Sequence, residues 1–236
     1  MQLISFYWFA DLADCEEWCE SLNSRISSDF PEIRGTVLLA PEGVNAALCG
    51  EKEQLDDIIK IFREDDRFAV MPVRRFPIKK YVFTRIKIKC RKEIINFRID
   101  DPLTDIPPAK DLNAAQWNQL MADKDTLVLD ARNSFEFDVG SFPDAINPQV
   151  ERFSHLASYI DENKDKLLNK KVAIFCTGGI RCEKLGKYMK KQGIQDVYQL
   201  EGGILQYFQD TKGTDNLWEG ECFVFDERIS VSKQDL

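Results

Sequence analysis

The chain has 236 residues, 44% of them hydrophobic and 31% charged, with 16 phenylalanines. That much apolar side chain can build a core, which excludes disorder along the whole length, and no uninterrupted apolar run is long enough to span a bilayer. The formal net charge of -8 argues against non-specific polyanion binding by the surface as a whole.

Residues 1–18 carry no basic stretch ahead of an apolar run and meet acids early, so no secretory signal is expected there. The seven cysteines are therefore expected to stay reduced, in the cytoplasm, and an odd number of them fits poorly with a disulfide framework. Residues 3–9 read as an apolar and aromatic strand. Asp11 is placed to cap a helix whose apolar face is Leu12, Cys15, Trp18, Cys19, Leu22 and Ile26. Cys15 and Cys19 on that face are read as core packing, with a metal or redox role as the alternative. Strands follow at 35–40 and 44–49 around the turn Pro41-Glu42-Gly43, then a helix with Leu55, Ile58, Ile59 and Phe62 on one side.

Between Met71 and Lys92 there is no acid and there are nine positive charges. Residues 81–97 are expected to be mostly extended, and they form the closing strand of a βαββαβ, ferredoxin-like N-terminal domain. Within that strand Ile86, Ile88 and Cys90 point one way and Arg85, Lys87, Lys89 and Arg91 the other. The four cations are either a solvated face protecting a sheet edge or a site for one specific polyanion.

Residues 100–111 hold three prolines and read as a linker. The expected division is an N-terminal domain at 1–98, a linker at 99–120, a second domain at 121–214 and a C-terminal segment at 215–236. The second domain alternates strand and helix: strands at 127–129, 172–175 and 197–200, helices at 153–168 and 181–192, the last stopped by Gly193. This alternation means a parallel sheet with helices on both faces.

Chemistry in an open parallel sheet sits at the carboxyl ends of its strands. Cys176 occupies such an end, followed by Thr177, Gly178, Gly179, Ile180 and Arg181 and then a helix. The glycines let the backbone curl so that N–H groups point inward, and the helix N-terminus adds positive potential. A thiol in that nest is expected to ionise readily and to be the catalytic group. Asp130, Arg132 and Cys182 are expected to support the loop, with Cys182 packing at the first turn of the helix and a second reactive thiol as the alternative. Lys184 and Lys187 on the same helix are candidates to extend a phosphate track, with a solvated face as the alternative. A single histidine, His155, and no C-x-x-C pair leave no metal site and no cofactor evident.

The C-x4-R spacing from Cys176 to Arg181 is tighter than the C-x5-R loop of cysteine phosphatases. It resembles a rhodanese domain, in which the cysteine carries an extra sulfur as a persulfide. Asp130-Ala131-Arg132 with Glu136, Gly140, Pro143 and Ala145-Ile146-Asn147 resembles the rhodanese opening motif, with Ser141 where histidine is usual, and Leu200-Glu201-Gly202-Gly203-Ile204 resembles the closing one. CTGGIRCEK at 176–184, APEGVNAAL at 40–48, FTRIKIKCRKEI at 83–94 and WEGECFVFDERISV at 218–231 together resemble the rhodanese-domain tRNA uridine hydroxylases. The resemblance implies hydroxylation at C5 of the wobble uridine of tRNA, with molecular oxygen as co-substrate, tRNA as partner and Cys176 as the active residue. The competing expectation is a sulfurtransferase that passes persulfide sulfur to a small acceptor.

Overall fold

The computed structural model describes residues 1–99, 103 and 105–236. The chain divides into two compact units, Met1–Ile95 with Asp226–Arg228, and Asn96–Phe225 with Ile229–Leu236.

In the first unit, β1 (Gln2–Phe9), α1 (Cys15–Asp29), β2 (Arg34–Ala40), β3 (Gly43–Gly50), α2 (Lys52–Arg63), β4 (Arg74–Pro77) and β5 (Ile86–Cys90) follow in order. The sheet order is β4-β1-β3-β2-β5. Strand β1 runs antiparallel to β3 and β4, and β2 runs antiparallel to β3, so the first four strands make the expected ferredoxin-like sheet. The closing strand is β4, not the basic stretch. Phe76 is the only apolar side chain that β4 buries, which leaves it almost without a hydrophobic signal. Strand β5 is instead a fifth strand, added parallel to β2 at the opposite edge. Ile86, Ile88 and Cys90 pack against the core while Lys87 and Lys89 are exposed. Helix α1 begins at Cys15, later than an Asp11 cap requires, because Leu12 is already buried ahead of it and its amide is bonded to the Pro41 carbonyl. Trp18, Phe62 and Phe68 meet in the core with ring centroids 5.2–5.9 Å apart.

The second unit comprises β6 (Lys110–Leu112), α3 (Ala114–Met121), β7 (Thr126–Asp130), α4 (Ser134–Phe137), β8 (Gly140–Ser141), α5 (Leu156–Leu167), β9 (Lys171–Phe175), α6 (Ile180–Lys191), β10 (Val197–Leu200), α7 (Gly203–Asp210), β11 (Glu219–Gly220), β12 (Cys222–Phe223) and β13 (Ser230–Val231). Its main sheet has the order β6-β10-β9-β7, all parallel. Two of the expected boundaries change. Residues 100–102 and 104 of the expected linker lie outside the described residues, and the rest does not stay a linker as far as 120. Lys110–Leu112 is an edge strand, and Asn113 and Gln116 close a capping box that starts α3 and sends Trp117 into the core. Nor is 215–236 a separate segment. Strand β11 pairs with β8, and Trp218 joins Phe175 and Tyr207 around Phe142, each of the three with its centroid 5.0 Å from that ring. Edge-to-face contacts of this kind add about 0.5–1.5 kcal/mol each beyond burial. No helix among the described residues is long and apolar enough to cross a membrane.

Candidate active site

Strand β9 is buried from Val172 to Phe175 and delivers Cys176, 0% exposed, to its carboxyl end. The chain then turns through Thr177, Gly178 and Gly179 into α6. Gly179 has φ +100°, a left-handed geometry suited to glycine, and its N–H donates to the Cys176 sulfur at 3.2 Å. The Cys182 thiol and backbone N–H donate to the same sulfur. Burial alone would push the Cys176 thiol up. The Cys182 thiol, the Arg181 guanidinium and the two amides outweigh it and bring the pKa down to about 5, so the sulfur is a thiolate at neutral pH. Cys182 is driven the opposite way, by burial and by the Cys176 charge, and keeps its proton.

The loop is fixed from behind by α7. Ile204 and Leu205 donate their N–H groups to the Cys176 and Thr177 carbonyls at 3.0 and 3.2 Å. A Cβ at Gly203 would lie 2.5 Å from the Cys176 carbonyl oxygen, so the closing Gly202-Gly203 pair is what lets α7 come this close. A Cβ at Gly178 would meet nothing within 4 Å, so there is free space beside the apex of the loop.

Arg181 does not point into the nest. Its guanidinium forks onto the Glu136 carboxylate at 2.7 and 2.8 Å and reaches Thr177 Oγ1 at 3.0 Å. Burial pushes the Glu136 carboxyl up, and the Arg181 fork overrides it and holds the group below the usual range. Glu136 is thus the buried counter-ion of the loop, a role the sequence reading did not assign. The sequence places it in the opening motif, and nothing there pairs it with Arg181. Cys222, also fully buried, adds a third thiol near these charges, pushed up to about 12 chiefly by burial.

Asp130 and Arg132 pair at 2.6 Å with side chains 1% and 0% exposed. Arg132 also donates to the Gly140 carbonyl at 2.7 Å and lies over the Phe175 and Trp218 rings. Between them Ala131 donates its N–H to the Phe175 carbonyl at 2.9 Å. Their bracing therefore acts on the strand ends beside Cys176. Among the described residues, no group of three or more His, Cys, Asp or Glu is gathered to hold a metal ion.

The basic candidates separate. Arg85, Lys87, Lys89 and Arg91 are all exposed on the edge strand and its ends. Lys184 is only 7% exposed and Lys187 is half-buried, so α6 offers no phosphate track through them. The reason is packing: α6 is buried around most of its girth, and a Cβ at Gly186 would come 2.7 Å from that of Ala109.

Two family models match the chain: a UPF0176 acylphosphatase like domain over residues 1–94 and a Rhodanese-like domain over residues 113–210. A protein of Synechococcus elongatus named tRNA uridine(34) hydroxylase is 42% identical over 98% of this chain and 86% of its own length. One of the same name from Legionella pneumophila is 40% identical over 98% of this chain and 91% of its own. Among solved structures, a rhodanese-related protein of Thermoplasma volcanium is 27% identical, covering 45% of this chain and 95% of its own, with a TM-score of 0.36.

Proposed function

The chain belongs to the tRNA uridine(34) hydroxylase family, and we propose that it hydroxylates C5 of the wobble uridine of tRNA in the cytoplasm, with Cys176 as the reacting sulfur. The observation that carries the assignment to Cys176 is the thiolate held in the loop by the Gly179 amide and the Cys182 thiol and amide. A thiolate, bare or carrying a persulfide sulfur, adds to C6 of the uracil and leaves carbanion character at C5. That carbon then attacks molecular oxygen. One oxygen atom stays as the hydroxyl; the other leaves as water once an external reductant has supplied two electrons and two protons. Loss of the C5 proton and of the sulfur at C6 restores the uracil ring. Glu136 supports this chemistry by holding the Arg181 guanidinium beside the loop, where its charge favours the thiolate.

The exposed cations Arg85, Lys87, Lys89 and Arg91 are the surface proposed to hold tRNA phosphates. Each phosphate neutralised releases roughly one counterion, so tRNA affinity falls steeply with salt. Changing Arg85, Lys87 and Lys89 together to glutamate keeps the apolar face of β5. It is expected to lower tRNA affinity at least about tenfold and to flatten the salt slope. Unchanged affinity and slope would return these residues to the role of edge protection.

The deciding experiment is mass spectrometry of nucleosides from tRNA of a strain lacking the protein. The unaltered gene restores 5-hydroxyuridine and the Cys176→Ser variant does not. Full restoration by the serine variant removes Cys176 from the reaction. No change in 5-hydroxyuridine on deletion favours the sulfurtransferase.

A further inference from the structure

The second unit leaves aromatic rings in solvent next to the cysteine loop. Phe135 is 45% exposed and Phe225 is 65% exposed. Phe223 joins them, its centroid 5.1 Å from Phe135 and 5.1 Å from Phe225, with interplanar angles of 84° and 79°. The three rings form a stepped row. Ile229, 65% exposed, accepts at its carbonyl, at 2.8 Å, the N–H of Val224, which lies between Phe223 and Phe225 in sequence. Scattered apolar side chains on a surface need no explanation, but a contiguous row beside an active site marks a binding surface.

The inner end of the row is part of the site. Phe135 directly precedes Glu136, which holds Arg181 and lies 3.3 Å from Thr177 Oγ1. Phe223 directly follows Cys222, which is buried among the charges of Arg132, Glu136 and Arg181. The occupant follows from the substrate. A uridine in the anticodon loop is unpaired, and it has to leave the stack of its neighbours before its C5 and C6 can reach a sulfur at the floor of a loop. The neighbouring bases then lose a stacking partner, and single-stranded RNA is commonly held by aromatic side chains that supply one. Glu221, exposed and two positions before Phe223, repels phosphates, which leaves base faces as the part of the RNA the row suits.

We propose that Phe135, Phe223 and Phe225 are a stacking platform for the unpaired bases flanking the reacting uridine. The proposal rests on the tRNA hydroxylase reading of the site. Stacking holds substrate and transition state alike, so its loss appears in KM with kcat little changed.

The test uses the full chain and an anticodon stem-loop RNA. Phe135→Ala and Phe225→Ala, both at exposed positions, are each expected to raise KM about fivefold, the low end of a base–aromatic stacking contribution. The salt slope of binding stays as it is. Phe225→Trp retains the low KM and Phe225→Leu does not. In the Cys176→Ser background, the Phe225→Trp protein gains a fluorescence signal that the stem-loop quenches and a duplex RNA of equal length does not. An unchanged KM in both alanine variants, or leucine serving as well as tryptophan, overturns the platform. So does a dimer that Phe225→Ala dissociates, because it assigns the row to a second copy of the chain. If the unaltered chain makes no 5-hydroxyuridine, the hydroxylase reading fails, and the quenching experiment still decides whether the rings stack on bases.

Discussion

Two buried cysteines, one in each unit, touch a second thiol and end in opposite states. Cys176 meets Cys182, and Cys15 meets Cys90 with the sulfurs 3.0 Å apart. Burial pushes both Cys176 and Cys15 up. Both stand close to a helix N-terminus, since Cys15 is the first residue of α1 and Cys176 precedes α6. Yet Cys176 falls to about 5, while Cys15 rises to about 11 under burial, the Cys90 contact and the charges of Glu16 and Asp14. Thiol proximity and a helix N-terminus therefore do not suffice to make a reactive sulfur. What differs is the company. Cys176 has a glycine-shaped set of amides and a fixed cation, and the acid in its helix's first turn, Glu183, accepts a hydrogen bond from Gln199 at 2.9 Å. Asp14 beside Cys15 is itself forked onto Arg67 at 2.6 and 2.9 Å, and Cys15 still rises, because neither a set of amides nor a cation acts on its sulfur.

The largest effect expected from this contrast is in Cys176→Ser. Thiolate absorbance at 240 nm in the unaltered chain should show a step near pH 5 that the variant lacks and Cys15→Ser retains. Stability follows the same titration. The folded pKa lies below the ordinary thiol value of 9.0, so between about pH 5 and 9 the unfolded chain binds more protons. The stabilisation by the thiolate is complete above pH 9 and is lost as pH falls through about 5. Urea unfolding should find the unaltered chain more stable than the variant by on the order of 2 kcal/mol at pH 7 and equal to it near pH 5. A difference that grew toward acid would break the assignment.

On stability alone the larger loss is expected in Glu136→Gln, which strands a buried guanidinium. Removing one partner of a buried ion pair costs about 3–5 kcal/mol, and urea unfolding should show it. Arg25→Gln, which breaks the exposed pair with Glu64, should cost far less. Equal losses would mean that the loop's charge pair is no more structural than a surface one.

The two sites also differed in how far the sequence revealed them. The cysteine loop was legible because strand, glycines, arginine and helix are consecutive, so local chemistry and position coincide. Glu136 was harder, being 45 residues from Arg181, and a pairing across that distance leaves no periodic trace. The βαββα order was readable from apolar spacing, but β4 was missed because Arg74, Arg75 and Pro77 surround its one buried ring. The alternation in β5 was read correctly while its partner was not, since period two fixes faces and says nothing about which edge a strand joins. Lys184 looked like surface because lysine usually is; that it is only 7% exposed is a tertiary fact.

A smaller effect is expected at Cys182, whose thiol is the foremost of the contacts that lower Cys176. Cys182→Ala removes that donor and should move the absorbance step up by roughly one pH unit, while Cys182→Ser keeps a donor and should hold it near its place. Hydroxylation by the alanine variant should then fall more at pH 6 than at pH 8. A pH-independent loss, equal in alanine and serine variants, would assign Cys182 to packing alone.

The smallest effect sharpens the other half of the contrast. Cys90 is half-exposed on β5, and its contact raises Cys15 beyond what burial does. In Cys90→Ala the Cys15 ionisation should come down from about 11 only part of the way to the ordinary value, because burial, the larger cause, remains. Hydroxylation should be unchanged, since no charge near Cys176 is altered. The measurement is absorbance at 240 nm between pH 8 and 11, with Cys15→Ser to identify the step. If Cys15 instead ionised near pH 5 in that variant, the Cys90 contact alone would be suppressing a second reactive sulfur. The amide nest and the cation would then no longer be what distinguishes Cys176.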